Sequence, residues 1–563
     1  MPRSRKSAPA PRVPPATRRQ GLLPALIAAA FGSIVFWPAL NGPFVFDDLH
    51  LPFFDPYAAQ MPARFWLGGV RPLLMASYWL NFAFFRTDPW PYHATNIALH
   101  CLTATILFFS VRRLTELALG LGSNGLAFAA AAIFLLHPLQ TEPVDYVAGR
   151  SEVLCGLFVL AGWLIFLERI DRPLKIADVC LILLCAIGAV LSKESGICLL
   201  GILLATDLYW GTGTLRDRFE RRKAIYIPVI AGALIAVAFI LRSLAHSATA
   251  GFSASIGPGS YALTQMRVIA TYLRLFFYPV GLNLDWGMSF LHTISRSWPW
   301  MIPIAGTMVL TIVLYRRVRL ASFGLVVFFV TIAPTSSFIP INDALAERRM
   351  YLPVAGLAIF VAGMAAALRA PERVKRLAIC AVLLACALLS FQRSVVWSDD
   401  ERLWSQSILQ NPGNARAHAE IGGSYIFRKD CARAAIEYAK AATIEGLSPL
   451  NGRNLAAAYE CSKQNEKALE TYKDLVAEHP GAMEWTRIGY LEALKNDVSN
   501  SLAAFENALH LDPNYSPAWS YRGTGRLALG NVEGARSDFK RALELDPGDP
   551  VAASGLVKIS GKN

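Results

Sequence analysis

Charge is scarce in this sequence. Asp, Glu, Lys and Arg together make up 17% of 563 residues while 54% are hydrophobic, a balance that excludes an ordinary soluble enzyme of this length. The stretch from Gly21 to Leu40 carries no charge at all. Lys and Arg outnumber Asp and Glu, 54 to 41, but they stand in short segments between apolar runs with no nucleic-acid motif beside them, so no nucleic-acid partner is expected. Cysteine is sparse too. Of nine, seven (Cys101, Cys155, Cys180, Cys185, Cys198, Cys380 and Cys386) lie inside apolar runs without metal-ligand spacing and read as small packing residues. Residues 1–20 are basic and rich in Pro and Ala, and the apolar run after them is about twice the length of a signal-peptide core. We expect a disordered cytoplasmic tail over 1–20 and then an uncleaved membrane anchor.

What the chain does have is long apolar runs, at roughly 21–40, 94–111, 125–136, 153–167, 176–191, 196–210, 224–241, 299–314, 321–338, 352–368 and 377–391, which predict about eleven membrane spans. A further stretch, 261–279, places Arg267 and Arg274 on one helical face and reads as an interfacial or re-entrant helix. With the N-terminus in the cytoplasm, the inside loops hold 23 Lys and Arg in roughly 70 positions and the alternate loops 11 in about twice as many, the expected positive-inside bias. Everything after residue 391 is then outside. Within the spans the ionisable residues are His100 and the end-positioned Asp178 and Asp207. The others gather at the outer ends: Asp47, Asp48, His50, Arg71, His93, His137, Glu142, Asp145, Arg150, Lys193, Glu194, Glu347, Arg348 and Arg349. Transport calls for ionisable groups near the midplane, so chemistry at the outer surface fits better.

From residue 415 the composition turns soluble and a period near 34 appears. Tyr438, Tyr472, Phe505 and Phe539 share one position, Ala441, Leu475, Ala508 and Ala542 follow three residues later, and Pro480, Pro513 and Pro547 close successive units. Trp485 and Trp519, then Gly489 and Gly523, keep the same offsets. The pattern resembles a tetratricopeptide array of about four helix-turn-helix units capped by a helix over 550–560. Its concave side would suit an extended peptide, and a spacer or dimerisation surface is an equal alternative. Cys431 and Cys461 fall in neighbouring units, and both a disulfide and two buried thiols agree with the sequence.

Attack by a Ser or Thr hydroxyl on a glycosyl phosphate needs a carboxylate to take the proton and cations to hold the departing phosphate. Asp47 and Asp48, in NGPFVFDDLH, are candidate bases, and Arg348 and Arg349, in INDALAERRMYLP, are candidate phosphate clamps because guanidinium binds oxyanions bidentately. Each also has a plainer reading. Asp47 could cap a short helix from Leu49, and the two arginines could anchor at lipid headgroups or pair with Glu347 and Asp343. Lys193 and Glu194, in LSKESG, read as an interfacial ion pair. Arg71 reads equally as an interfacial anchor. His93, His100 and His137 could join Asp48 or Glu142 around a metal, but no ligand spacing is diagnostic.

Taken in order, FVFDD, RPLLMASYWLNFAFF, YHATNIALH, HPLQTEPVDYVAGRSE, LSKESG, INDALAERRMYLP and VVWSDDERLWSQSILQNPGNARAHAEIG resemble the transmembrane and tetratricopeptide-repeat family of protein O-mannosyltransferases, within the C-type polytopic glycosyltransferase superfamily. The resemblance implies an all-α chain: a transmembrane glycosyltransferase domain over 21–398 and an extracytoplasmic repeat domain over 399–563. It implies an inverting transfer of mannose or another hexose from a polyprenyl-phosphate-linked donor to Ser or Thr hydroxyls. Asp47 and Asp48 match the family's first-loop acidic pair, one of them the base. Glu347, Arg348 and Arg349 match its acidic-dibasic stretch, with donor phosphate on Arg348, Arg349 and Arg150, and His93, His137, Glu142, Glu347 and Arg71 in support. The implied partners are the lipid-linked donor, membrane lipids and a protein acceptor or partner at the repeats. No cofactor is certain, and a divalent cation stays open. The four-unit array is shorter than expected of animal members and points to a bacterial inner-membrane relative with a different lipid carrier. Two alternatives accompany this reading: transfer to a lipid-linked glycan or polysaccharide, and a non-catalytic scaffold displaying the repeats.

Overall fold

The computed structural model describes residues 18–244 and 256–560. The expected tail over 1–20 lies outside them, apart from residues 18–20, which open the first helix. Helix accounts for 80% of the structure, with no strand among the described residues. The chain divides into two compact units, Met1–Leu403 and Trp404–Asn563.

Against eleven spans read from hydropathy, five helices in the first unit are long and apolar enough to cross a bilayer, or six if Leu26–Val35 and Trp37–His50, bent by 59°, count as one broken span. The difference is one of length. Asn124–Leu136, Ile176–Ser192 and Arg319–Ile332 hold only 13, 17 and 14 residues, whereas about 20 residues are needed to span the hydrocarbon layer. RPLLMASYWLNFAFF likewise forms a short apolar helix, Pro72–Phe85. Hydropathy reads composition, but the breaks fall where polar residues and Pro turn the backbone, as at His137-Pro138 and Lys193.

The apolar windows of Ile294–Arg317 and Glu372–Trp397 are only 17% and 11% buried, and those of Pro89–Leu119 and Glu347–Ala367 are 56% and 67% buried. The first pair therefore presents hydrocarbon outward, which suits lipid. The second pair forms the centre of the core with Arg150–Glu168, where Trp163 donates to Thr206 Oγ1 at 2.9 Å. Pro258–Phe277, the expected interfacial helix, is not among the helices long and apolar enough to cross a bilayer. It buries Tyr261, Val268, Tyr272 and Leu275 and leaves Arg274 exposed. Its Tyr272 hydroxyl donates to the Ala346 carbonyl at 2.7 Å, and its Gln265 amide donates to the Ala344 carbonyl at 3.2 Å. This helix thus sets the height of the segment that leads into Glu347-Arg348-Arg349.

The second unit repeats one helix hairpin four times: Ala415–Phe427 with Cys431–Glu445, Pro449–Cys461 with Asn465–Glu478, Ala482–Leu494 with Val498–Leu511, and Ser516–Ala528 with Val532–Leu545, followed by Pro550–Ser560. The periodic glycines have a steric reason. A Cβ at Gly489 or Gly523 would stand 2.5 or 2.8 Å from the ring of Phe505 or Phe539, so only glycine lets each first helix seat on the aromatic of its partner. Cys431 and Cys461 are bridged across neighbouring hairpins, their Cα atoms 5.6 Å apart and 30 residues apart in sequence. Closing a loop of that size restricts the unfolded chain by about 3–4 kcal/mol. Reduction is therefore expected to lower the urea midpoint of the repeat unit, followed by tryptophan fluorescence, and an unchanged midpoint would remove the bridge from the stability account.

Candidate active site

Short turns crowd one end of the first unit. Phe46–His50, Pro138–Gln140, Thr141–Asp145, Val147–Gly149 and Glu347–Met350 are single helical turns that hand the chain from one long helix to the next. The first presents both aspartates, and it begins under strain: Phe46 has φ 51°, a left-handed conformation costly for a bulky side chain.

The two acids differ in kind. Asp48 is fully buried; its Oδ2 accepts the Val45 N–H at 3.1 Å and its Oδ1 the Ala148 N–H at 2.7 Å, which ties the acidic turn to the 147–149 turn. Asp47 is exposed and is held through its backbone, whose N–H donates to the Tyr146 hydroxyl at 2.8 Å. Its exposed carboxylate lies beside the same hydroxyl. The bland cap reading of Asp47 therefore passes to Asp48.

Tyr146 is also the meeting point for the cation. The Arg348 guanidinium lies 5.9 Å from the Tyr146 ring centroid, with Trp397 stacked on that ring at 5.6 Å. Arg348 is oriented by Glu142, which accepts from its Nη1 at 2.6 Å and from its backbone N–H at 2.9 Å; the Arg348 side chain keeps 18% of its surface exposed. Two further cations are paired nearby, Arg71 bidentately to Glu194 at 2.8 and 2.9 Å and Lys193 to Glu152. LSKESG thus contributes two ion pairs to this end of the bundle, each with a partner from elsewhere in the chain.

Arg349 and Arg150 are placed differently from the clamp expected of them. Arg349 turns inward and donates to the carbonyls of Ala344 and Asp343 at 2.9 and 2.7 Å. Arg150 is fully buried between Tyr78 and Tyr92, 4.7 and 5.6 Å from their ring centroids. Its Nε donates to Asn96, Nη1 to Asn81 and Nη2 to the Tyr92 carbonyl. Asn96 in turn donates to the Val144 and Tyr146 carbonyls, so Arg150 braces the turn that carries Tyr146. Glu347 is buried and accepts from the Asn283 N–H and, at 3.2 Å, from Trp286 Nε1. The histidines do not converge: His93 meets the Gly42 carbonyl, His100 the Tyr351 hydroxyl, and His137 the Phe276 carbonyl. Among the described residues no group of three or more His, Cys, Asp or Glu is disposed to hold a metal ion. Sequence reasoning passed over Tyr146, Trp397 and Asn96. HPLQTEPVDYVAGRSE contains two of the cluster's anchors, but nothing in that string marks a tyrosine as the hub.

Burial pushes the Asp48 carboxyl up to about 8 against the pull of the Val45 and Ala148 N–H groups, and burial likewise raises Asp145 well above the carboxylate range. The native state therefore holds protons that the unfolded chain gives up first, and stability falls as pH rises from the ordinary carboxylate range to about 8. The melting temperature is expected to decline over that interval and to flatten in Asp48→Asn. A melting temperature that climbs with pH there would contradict the assignment.

In the second unit, a hollow of 630 Å³ between hairpins is lined by Tyr472, Tyr490, Lys463 and the Glu460–Arg487 pair. Fold and site together fit a helical membrane protein with an acid and a guanidinium converging at one end of its bundle, followed in sequence by a helix-hairpin array. Residues 516–549 match the tetratricopeptide repeat family. The chain is 25% identical over 72% of its length to Protein O-mannosyl-transferase F38B6.6 of Caenorhabditis elegans, and 22% identical over 91% to Protein O-mannosyl-transferase TMTC3 of Homo sapiens. Over 35% of its length it is 30% identical to Protein O-mannosyl-transferase TMTC1 of Mus musculus, covering 24% of that protein. It spans 60% and 63% of the length of the first two. The chain is thus similar to proteins named as protein O-mannosyl-transferases.

Proposed function

We propose that this protein is an inverting glycosyltransferase that moves mannose from a polyprenyl-phosphate donor to Ser or Thr hydroxyls of extracytoplasmic proteins. Asp47 takes the acceptor's proton as its oxygen attacks the anomeric carbon. The bond from that carbon to phosphate oxygen breaks, and the electron pair leaves with the lipid phosphate, whose growing charge Arg348 meets. Glu142 aims the guanidinium, Asp48 and Arg150 hold the turns that carry Asp47 and Tyr146, and the repeats recruit the acceptor. The observation that carries this reading is the convergence of the exposed Asp47 and the partly exposed Arg348 on Tyr146.

Eleven crossings, a cytoplasmic N-terminus and an extracytoplasmic repeat unit complete the proposal, in a bacterial inner membrane. The Cys431–Cys461 bridge supports that side for the repeats, since such bridges persist in oxidising compartments. Mass spectrometry of surface proteins from a deletion strain tests the acceptor: hexose should disappear from Ser and Thr peptides. Altered glycan on unchanged proteins would transfer the activity to a lipid-linked glycan instead.

A further inference from the structure

Helix Glu372–Trp397 turns most of its length toward hydrocarbon. Its buried residues, Cys386, Ser390, Arg393, Ser394 and Trp397, recur every three or four positions and so share one stripe near its end. The last four carry polar groups that a lipid-facing helix buries only against partners, and each meets a segment of the candidate site. Ser390 Oγ donates to the Leu136 carbonyl at 2.8 Å, just before the 138–140 turn, and Ser394 Oγ donates to Asp145 Oδ2 at 2.6 Å. Trp397 stacks on Tyr146, and its carbonyl would stand 3.0 Å from a Cβ at Gly42, in the segment that leads to Asp47. The Arg393 guanidinium lies 5.7 Å from the Trp397 ring centroid and within electrostatic reach of Glu142, Asp145 and Glu347.

The three carboxyl groups are served unequally. Glu142 accepts twice from Arg348, Asp145 from a hydroxyl, and Glu347 from the neutral N–H groups of Asn283 and Trp286. Two bonds from Arg348 already orient Glu142, so what a second guanidinium adds there is charge. A carboxylate facing one cation cancels much of that cation's field, whereas a carboxylate shared between two leaves more of each field for another anion. Resting on the transfer reading above, we infer that Arg393 is a positioning residue for the reaction: it shares Glu142 with Arg348 and so leaves the charge of Arg348 to the departing phosphate. Arg393 is buried and acts through Glu142 rather than on the substrate. Its neighbours on the stripe, Ser394 and Trp397, hold Asp145 and Tyr146 in register with it.

Arg393→Gln removes the charge and keeps an amide donor. Membranes of a deletion strain carrying each full-length variant are supplied with polyprenyl-phosphate mannose over a range of concentrations, and hexose on Ser and Thr peptides is followed by mass spectrometry. Arg393→Gln is expected to lower the maximal rate about tenfold, within the range for charged groups of one network. The donor concentration at half-maximal rate should change little, because the charge that Arg348 meets grows in the transition state. Arg393→Lys should recover most of the rate. In a Glu142→Gln background, where no carboxylate charge is left to share, adding Arg393→Gln should cost nothing further. An arginine needed only for folding would lower the melting temperature and the rate alike in both backgrounds, and that result would overturn the inference, as would a wild-type rate in Arg393→Gln. Should Arg393→Gln fail to accumulate, the double variant, with one buried charge fewer left unpaired, is compared with Glu142→Gln: equal rates sustain the inference and a lower rate overturns it. Absence of transfer from the wild type would remove the transfer reading itself, whereas every variant is read against an active wild type.

Discussion

Asp47→Asn is expected to lower transfer by about 10²- to 10⁴-fold, the usual range for loss of a positioned general base, with little change in thermal stability. Its side chain is exposed, and its backbone N–H donates to the Tyr146 hydroxyl, a contact that asparagine keeps. Asp48→Asn should do the reverse. One of its two buried oxygens becomes an NH₂ facing the Val45 or Ala148 N–H, and setting donor against donor costs about 1–3 kcal/mol, while the catalytic carboxylate survives. The measurement is a transfer assay on both variants with lipid-linked mannose, beside their melting temperatures. A fully active Asp47→Asn would end the assignment, and an inactive but stable Asp48→Asn would move the base to the neighbouring residue.

Removing Arg348 should have the largest combined effect. The Glu142 side chain is 1% exposed, so Arg348→Met strands a buried carboxylate, a change that typically costs about 3–5 kcal/mol, and it also removes the charge that meets the leaving phosphate. The double variant Glu142→Gln with Arg348→Met separates the two losses. Stability should return, because no unpaired charge is left, and transfer should stay absent. A double variant that regained activity would show that the arginine acts only through packing. Arg349 offers a contrast: its donors go to the Ala344 and Asp343 carbonyls, so its loss should act on the 343–349 segment and on stability.

The repeat array was legible because its signal is local and periodic. Aromatic, small and proline positions recur near every 34 residues, and each recurrence answers to the same contact, such as Gly523 under Phe539. The site was legible only as a set of candidate residues. Two adjacent aspartates have the same side chain and nearly the same neighbours in sequence, and two adjacent arginines do as well. In the folded chain one member of each pair turns inward to satisfy backbone groups and the other faces the site. The histidines and Arg150 illustrate the opposite outcome, since residues of catalytic type serve as braces once their partners are seen.

Hydrophobic runs, basic loops and a repeating pattern are properties of neighbouring residues, and they were enough to point to a helical chain with long apolar helices that ends in hairpins. Which carboxylate faces outward, which guanidinium Tyr146 shares with it, and where the long helices end depended on contacts between segments more than two hundred positions apart, such as Arg348 with Glu142, 206 residues away. Those contacts arise from three-dimensional burial, which makes every buried donor and charge find a partner, and no local pattern records which partner that is.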